Sequence, residues 1–294
     1  MRVLYYKREK CKYDFIVVSD NEELLKIYER MYSCDSFLLT AEKPDLHKIR
    51  KKFTALYAKD ICCIYCPQNT STAFSLLPWE TELQKIELRD TNALQIIENL
   101  MYLTLVPEDG ILTLHGAAVA KDDKAFILSA STTAGKSTLA AFLWMRGYEY
   151  ITDDEIYISQ KTLCIEPVFK KLSLRPGGYE ILREVFGNPF SEMHYIESET
   201  IRRYLLPTEQ NTRYAHYKIN AVIFLEGYGS QTPYLKKLNT YSGFQKLLKG
   251  QLSAADDKQI PAKYKTLAQL SDKTYEMRYS DLWTAETYLE HLQT

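Results

Sequence analysis

Residues 125–147 read AFILSASTTAGKSTLAAFLWMRG, and this stretch decides the fold. Its first five residues, 125–129, have the apolar composition of a buried strand. A loop rich in Ser and Thr follows, and residues 137–146 then show a helical pattern that ends at Gly147, a common residue after the last turn of a helix. The order strand, loop, helix predicts an α/β domain built around this loop.

The loop fits the phosphate-binding pattern GxxxxGK[ST], except that Ala130 stands at the first glycine. Gly135 allows the tight turn that directs successive backbone N–H groups at phosphate oxygens. Lys136 offers a positive charge to the β- and γ-phosphates, and Ser137 offers a hydroxyl ligand to Mg²⁺. We therefore predict a site for ATP, or another nucleoside triphosphate, together with Mg²⁺. The predicted nucleotide-binding residues are Ala130, Ser131, Thr132, Thr133, Ala134, Gly135, Lys136, Ser137 and Thr138. The alternative is a Ser/Thr-rich turn in which Ser131 or Thr133 caps the helix.

Two aspartates and a histidine accompany the loop along the chain. Asp153 and Asp154 follow an apolar strand predicted over residues 148–152. Carboxylates at the end of a strand beside a phosphate loop can hold Mg²⁺, orient a nucleophile or accept its proton. His115 lies in the apolar strand predicted over residues 112–119, one strand before the strand that leads into the loop. The acidic pair and the histidine each have a structural alternative. The aspartates would then form an acidic turn between strands, and the histidine would only support the fold.

The 294 residues are enough for one large domain or two ordinary ones. Pro107 and Gly110 break the pattern, so we place a soft boundary within residues 105–112. The prediction is an α+β domain over residues 1–108, with substrate recognition as its possible role, and a P-loop catalytic domain over residues 109–294.

In the first domain, strands are expected over residues 1–6, 13–19, 36–40, 60–66 and 71–77 and helices over residues 21–32, 44–56 and 91–104, with residues 78–89 ambiguous. Ser19 or Asp20 is expected to cap the first helix. In the second, strands are expected over residues 112–119, 125–129, 148–152, 156–159 and 220–225 and helices over residues 137–146, 179–186, 244–252, 264–270 and 281–291.

Composition excludes several classes of function. A hydrophobic fraction of 46% permits a sizeable core, and a net charge of −1 gives no reason to expect nucleic acid or an anionic membrane as a partner. No apolar run is long enough to span a membrane, and residues 1–12 do not resemble a secretory signal. Six cysteines occur, and Cys63 and Cys66 have CxxC spacing without a second pair, so we interpret them as buried strand residues. A reducing, cytoplasmic location is expected.

Residues 114–159 resemble the catalytic domain of the bacterial HPr kinase/phosphorylase family. In that family a strand ending in His-Gly or His-Ala precedes the P-loop, a helix ending in Arg-Gly follows it, and a strand ending in Asp-Asp comes next. The resemblance implies a P-loop kinase core of the HPr kinase/PEP carboxykinase type with a mixed sheet. It implies that Asp153 is the base that accepts the proton of the substrate hydroxyl, that Asp154 supports the metal or the nucleophile, and that His115 lies near the transferred phosphoryl group, hydrogen-bonded to an aspartate.

The family segment Glu-Ile-Arg-Gly-Leu-Gly is best matched by residues 173–178, which read SLRPGG. Arg175 fits the family arginine and joins the predicted catalytic residues, with Arg213 as an alternative cation. Ser173 stands where the family has a metal-binding glutamate, and Glu166 or Glu180 is a candidate replacement.

The first hundred residues are similar to HPr-kinase-related proteins found beside peptide-modification genes. The similarity lies in residues 15–25, which read FIVVSDNEELL, and in residues 76–80, which read LLPWE. It implies an ATP- and Mg²⁺-dependent kinase for a serine or other hydroxyl of a peptide or small protein, such as a ribosomally made precursor peptide. The HPr enzymes form hexamers, but the front domain here is different, so that assembly does not transfer to this chain, and a homo-oligomer stays open as a possible assembly. Two alternatives stay open, a nucleotide-binding regulatory module without transferase activity and a kinase for a small-molecule hydroxyl.

Overall fold

The computed structural model describes every residue outside 33, 41–42, 69, 89–92, 131–133, 169, 188–193, 198–201, 207–214, 230, 253–259 and 294. The chain divides into two compact units, Met1–Glu108 with Ile196–Ile201, and Asp109–Tyr195 with Arg202–Thr294. Both units combine helices with sheets, and the two large sheets, of six and nine strands, each contain parallel and antiparallel pairs. The predicted α/β class and the mixed sheet are therefore confirmed. A role of the first unit in substrate recognition stays a prediction.

The first unit is a six-stranded sheet with helices on both faces. Its strands have the order β3-β1-β2-β4-β5-β6, and only β2 and β4 pair in parallel among the pairs described. The strands are β1 (Arg2–Tyr6), β2 (Tyr13–Ser19), β3 (Asp35–Leu38), β4 (Asp60–Cys66), β5 (Thr72–Leu76) and β6 (Gln84–Glu87). The helices are α1 (Glu22–Met31), α2 (Leu46–Tyr57) and α3 (Ala93–Leu103). Apolar residues of α1 and α3 pack on one face of the sheet, and those of α2 pack on the other.

The cap of α1 differs from the expected one. Asn21 holds the N-cap position, and its side-chain oxygen accepts hydrogen bonds from the backbone N–H groups of Glu23 and Leu24. Ser19 remains in β2, where its hydroxyl donates to the carbonyl of Cys66. The prediction of Ser19 or Asp20 was wrong because Asn21, an equally good capping residue, lies directly before the first helical turn.

The CxxC cysteines pack on opposite faces of β4. Cys66 lies in the core beneath α1 and α3, whereas Cys63 lies in the core beneath α2. Burial raises the pKa of each of these two thiols to about 12. A spacing of three residues on a strand separates side chains in this way, so the pair does not form one metal or redox site.

The second unit is built on a larger mixed sheet. Its longest strand path runs β10-β8-β9-β16-β12-β11-β7, and β18 pairs with both β16 and β17. The strands after Glu108 are β7 (Ile111–His115), β8 (Ala117–Lys121), β9 (Lys124–Ser129), β10 (Glu149–Thr152), β11 (Glu155–Ser159), β12 (Cys164–Glu166), β13 (Ser173–Leu174), β14 (His194–Glu197), β15 (Arg202–Leu205), β16 (Tyr217–Tyr228), β17 (Tyr234–Lys237) and β18 (Thr274–Tyr279). The helices are α4 (Lys136–Met145), α5 (Pro176–Phe186), α6 (Thr240–Lys249), α7 (Ile260–Ser271) and α8 (Leu282–His291).

Three strands of this sheet run in parallel and set the position of the loop. β16 pairs in parallel with β9 on one side and with β18 on the other. The carboxyl ends of the three strands therefore lie at one edge of the sheet, and the loop after β9 leaves from that edge. Helix α4 follows the loop and packs into the core through Leu139, Phe142 and Leu143, all of them fully buried.

The single strand predicted over residues 112–119 is two strands, β7 and β8, interrupted at Gly116. A Cβ atom on Gly116 would lie 2.6 Å from the carbonyl oxygen of Leu128 in β9, so only glycine lets the chain approach β9 this closely. The late strand expected over residues 220–225 is the longer β16, and β18 was not expected at all. Within the described residues, no helix combines the length and the apolar character that crossing a membrane requires.

Candidate active site

The candidate site is centred on the junction between the loop and α4. Of the predicted nucleotide-binding residues, Ser131, Thr132 and Thr133 lie outside the described residues. Gly135 holds the N-cap position of α4 with a φ of +87°, and no hydrogen bond from a described side chain caps the helix there. A Cβ atom on Gly135 would lie 2.9 Å from the hydroxyl oxygen of Tyr279, at the end of β18. Both the backbone angle and the close hydroxyl therefore favour glycine.

Lys136 is turned into the protein, where only 7% of the residue is exposed. Its ammonium donates a hydrogen bond to the carbonyl oxygen of Ala130 at 3.0 Å. Burial lowers the pKa of Lys136, the carboxylates of Asp153 and Asp154 oppose that effect, and the positive charge of Arg175 adds to it. The loop lysine, the acidic pair and Arg175 are thus close enough to act on one another electrostatically.

Asp153 is the buried member of the acidic pair. It follows β10 directly and is 3% exposed. Its carboxylate accepts hydrogen bonds from the Ser137 hydroxyl and, at 3.0 Å, from the backbone N–H of Asp154. Burial, followed by repulsion from the charge of Asp154, raises the pKa of Asp153 from 3.8 to about 7. A carboxyl group with such a pKa can exchange a proton near neutral pH.

Asp154 has a different environment, although it is the next residue. Its backbone takes a left-handed conformation, with φ at +67°, and its side chain is 39% exposed. Lys170 forms an ion pair with it, with 3.0 Å between Nζ and Oδ2. That positive charge lowers the pKa of Asp154. The two carboxyl groups therefore differ: that of Asp153 is readily protonated, and that of Asp154 is held as an anion. Two carboxyl groups whose pKa values differ in this way can take different chemical roles.

His115 joins the acidic turn through its ring. The Nδ1 atom lies 3.0 Å from the backbone carbonyl oxygen of Asp154. Because a carbonyl oxygen can only accept, Nδ1 carries the proton of the neutral ring and Nε2 does not. Burial, and then the charge of Lys136, lower the pKa of His115, which favours this neutral form. The resemblance implied a hydrogen bond to an aspartate, and the partner atom is the backbone oxygen of Asp154.

The His115 backbone is held from two sides. Its N–H donates to the carbonyl of Gly250 at 2.7 Å, and its carbonyl accepts from the hydroxyl of Ser129 at 3.4 Å. Ser129 is the last residue of β9, so the histidine is anchored to the strand that leads into the loop.

Arg175 occupies the N-cap position of α5. Three residues later, a Cβ atom on Gly178 would lie 2.4 Å from the hydroxyl oxygen of Thr138 in the first turn of α4. The first turns of the two helices therefore pack closely, which brings Arg175 towards Lys136. Ser173, in the position of the family glutamate, lies in β13. The alternative cation, Arg213, lies outside the described residues.

Sequence reasoning missed two residues of this region, Lys170 and Tyr279. Lys170 belongs to a Lys-Lys pair with no distinguishing pattern. Tyr279 ends a strand whose sequence, TYEMRY, alternates polar and apolar residues, a strand signal that the sequence analysis overlooked. Both reach the site only through the fold.

The described side chains suit Mg²⁺ bound together with phosphates. Ser137, Asp153 and Asp154 supply oxygen atoms, and Mg²⁺ is usually held by one or two carboxylates with substrate phosphates and water completing its shell. A cation near Asp153 would offset the unfavourable burial of that carboxylate, which its raised pKa reveals. In the part of the chain that the structure describes, no three His, Cys, Asp or Glu side chains form a ready metal centre.

The second unit is a mixed α/β domain in which strand β9, a Gly-Lys loop and helix α4 follow one another. No family model and no curated protein matches the sequence. Among solved structures, the chain is similar to the HPr(Ser) kinase/phosphatase from Coxiella burnetii. The identity is 10% and the TM-score 0.27, and the match covers 62% of this chain and 99% of that one. At this level of similarity the match does not assign an activity to this chain.

Proposed function

We propose that this protein is an ATP- and Mg²⁺-dependent phosphotransferase that phosphorylates a serine or other hydroxyl group of a peptide or small protein. The observation that carries the proposal is the meeting of three groups at the start of α4. Lys136 is buried beside Asp153, and the hydroxyl of Ser137 donates to the same carboxylate. A cation for phosphates, a hydroxyl for Mg²⁺ and a carboxyl group that titrates near neutral pH are the parts that such a transfer needs.

Each residue has a separate role in the proposal. Lys136, together with backbone N–H groups at the start of α4, holds the phosphates, and Ser137 and Asp154 hold Mg²⁺. When bound, Mg²⁺ neutralises negative charge on the phosphates. Asp153 accepts the proton of the substrate hydroxyl while the hydroxyl oxygen bonds to the γ-phosphorus and the bond from that phosphorus to ADP breaks. Arg175 adds positive charge, and His115 supports the acidic turn through the Asp154 carbonyl.

A peptide acceptor rests on the resemblance of residues 15–25 and 76–80 to HPr-kinase-related proteins found beside peptide-modification genes. A small-molecule hydroxyl is the alternative acceptor. The acceptor is identified by incubating the protein with Mg²⁺, ATP and the peptide encoded nearest its gene, followed by intact-mass measurement of the peptide. A gain of one phosphate supports the proposal.

Variants test the assigned roles. With γ-labelled ATP, Lys136→Ala is expected to abolish transfer and weaken ATP binding, whereas Asp153→Asn is expected to retain ATP binding and lose transfer. Lys161→Ala is the matched control because Lys161 is exposed in the same unit. Near-normal transfer by Asp153→Asn would show that the proton acceptor has been misassigned. Tight ATP binding by the wild type without transfer to any peptide or small hydroxyl compound would favour the regulatory module.

A further inference from the structure

Tyr228 is an exposed aromatic residue at the end of a buried strand. Most of β16 is buried, yet Tyr228, its last residue, is 55% exposed. It stands between Gly227 and Gly229, whose φ angles are +137° and +132°, a region that only glycine adopts readily. The pairing of β16 with β18 also shifts register between Leu225 and Gly227. The backbone on both sides of this one ring therefore departs from regular strand geometry.

The ring lies at the edge of the sheet from which the phosphate loop leaves. In the parallel pairing of β16 with β9, Phe224 is opposite Ser129, the last residue before the loop. β16 continues for four residues beyond that point, and Tyr228 pairs with Tyr279 of β18. In open α/β sheets, ligands bind beyond the carboxyl ends of the strands, and Tyr228 is placed there.

A chain of two contacts connects Tyr228 to the loop. The hydroxyl of Tyr279 lies against Gly135, within 2.9 Å of the point where a Cβ would stand. The rings of Tyr279 and Tyr228 have centroids 5.7 Å apart, with an angle of 56° between their planes. Tyr279 is 1% exposed and so forms a fixed support, with Tyr228 on its solvent side. One ring, that of Tyr279, therefore connects the Tyr228 ring with Gly135.

We propose that Tyr228 is the base-binding residue of this site and that the nucleobase stacks on its exposed ring. The proposal rests on the proposed function, since it presumes that the loop binds a nucleoside triphosphate. Stacking of a base on an aromatic side chain depends on the flat face of the base. Adenine and guanine share that face, so the ring should accept ATP and GTP alike.

Calorimetric binding of two probes, ATP and inorganic tripolyphosphate, both with Mg²⁺, tests this inference. Tyr228→Ala should weaken ATP binding about tenfold, which corresponds to about 1.4 kcal/mol, and should leave tripolyphosphate binding unchanged because that probe has no base. Tyr228→Phe should bind ATP as the wild type does, since the ring is kept. Tyr241→Ala removes a tyrosine that is 71% exposed on α6 and serves as the control.

The two probes separate the possible failures. Unchanged ATP affinity in Tyr228→Ala, measured on protein with a wild-type circular dichroism spectrum, would overturn the inference while leaving the kinase proposal intact. An equal loss of affinity for both probes would also overturn it, because Tyr228 would then support the loop and not the base. A wild type that binds neither probe would refute the proposed function itself, and this inference with it.

Discussion

The buried carboxyl of Asp153 should make the stability of the second unit fall as the pH rises. Its pKa is about 7 in the folded protein, compared with 3.8 for an ordinary aspartate. A carboxyl group with a higher pKa when folded binds more protons in the folded state, so its contribution to stability is complete at low pH and is lost as the pH rises through that window. Asp153→Asn removes the titration. The free energy of unfolding of the variant should therefore fall less than that of the wild type.

The size of the effect follows from the pKa values. A rise from 3.8 to about 7 corresponds to about 4 kcal/mol, at about 1.4 kcal/mol for each pH unit. Part of this is already lost at about pH 5, so roughly 2–3 kcal/mol remains to be lost between about pH 5 and about pH 8.5. The difference between variant and wild type should grow by that amount over this range. Solvent screening reduces this free energy little, because Asp153 is 3% exposed.

The measurement is urea unfolding of the full chain at several pH values, with EDTA present to exclude metal. Trp79 is replaced by Phe in every protein compared, so that fluorescence reports only Trp144 and Trp283, which both lie in the second unit. Asp272→Asn is the control, because it makes the same chemical change at an exposed aspartate of that unit. If Asp153→Asn and wild type show the same pH dependence, Asp153 does not have a raised pKa and the reasoning about its role as a base fails.

Two further perturbations test other contacts of the second unit. Gly116→Ala should lower the free energy of unfolding by about 1–3 kcal/mol, because its new methyl group would meet a backbone carbonyl of β9. The control is Gly177→Ala, which has open space around it and should leave stability unchanged or raise it by up to about 1 kcal/mol. Equal effects of the two substitutions in urea unfolding would contradict the close approach of Gly116 to β9. Lys170→Met should strengthen the binding of Mn²⁺ in the absence of nucleotide by roughly two- to fivefold. The reason is that Lys170, which forms a partly exposed ion pair with Asp154, no longer competes with the metal for that carboxylate. The control, Lys161→Met, should not change the Mn²⁺ affinity, which is measured by electron paramagnetic resonance. An unchanged affinity in Lys170→Met would refute competition at Asp154.

Local motifs made the centre of the site predictable from the sequence. The strand, the Gly135-Lys136 loop and the helix are contiguous, and each element forms from the apolar pattern of its own residues. The acidic pair is recognisable for the same reason, since it directly follows a short apolar strand. Three residues of the loop lie outside the described part of the chain, so their predicted contacts with phosphate stay predictions.

Errors arose where neighbours distant in sequence decide the conformation. Residues 112–119 have the composition of one continuous strand, and nothing local marks Gly116 as a break. The two halves pair with different strands, β7 with β11 and β8 with β9, and Gly116 between them lies so close to β9 that a side chain has no room. β18 is an error of another kind, because its sequence, TYEMRY, alternates polar and apolar residues and so carries a local strand signal that the prediction overlooked.

The chemical groups available to the candidate site can be read from the sequence: a lysine and a hydroxyl at the start of a helix, two adjacent carboxyl groups, and a histidine upstream of the loop. Folding then makes those groups differ from one another. Burial beside Ser137 and Asp154 raises the pKa of one aspartate, and an ion pair with Lys170 lowers that of the other. The physical reason is that pKa depends on solvation and on nearby charge, and both are set by segments that the chain brings together only when it folds.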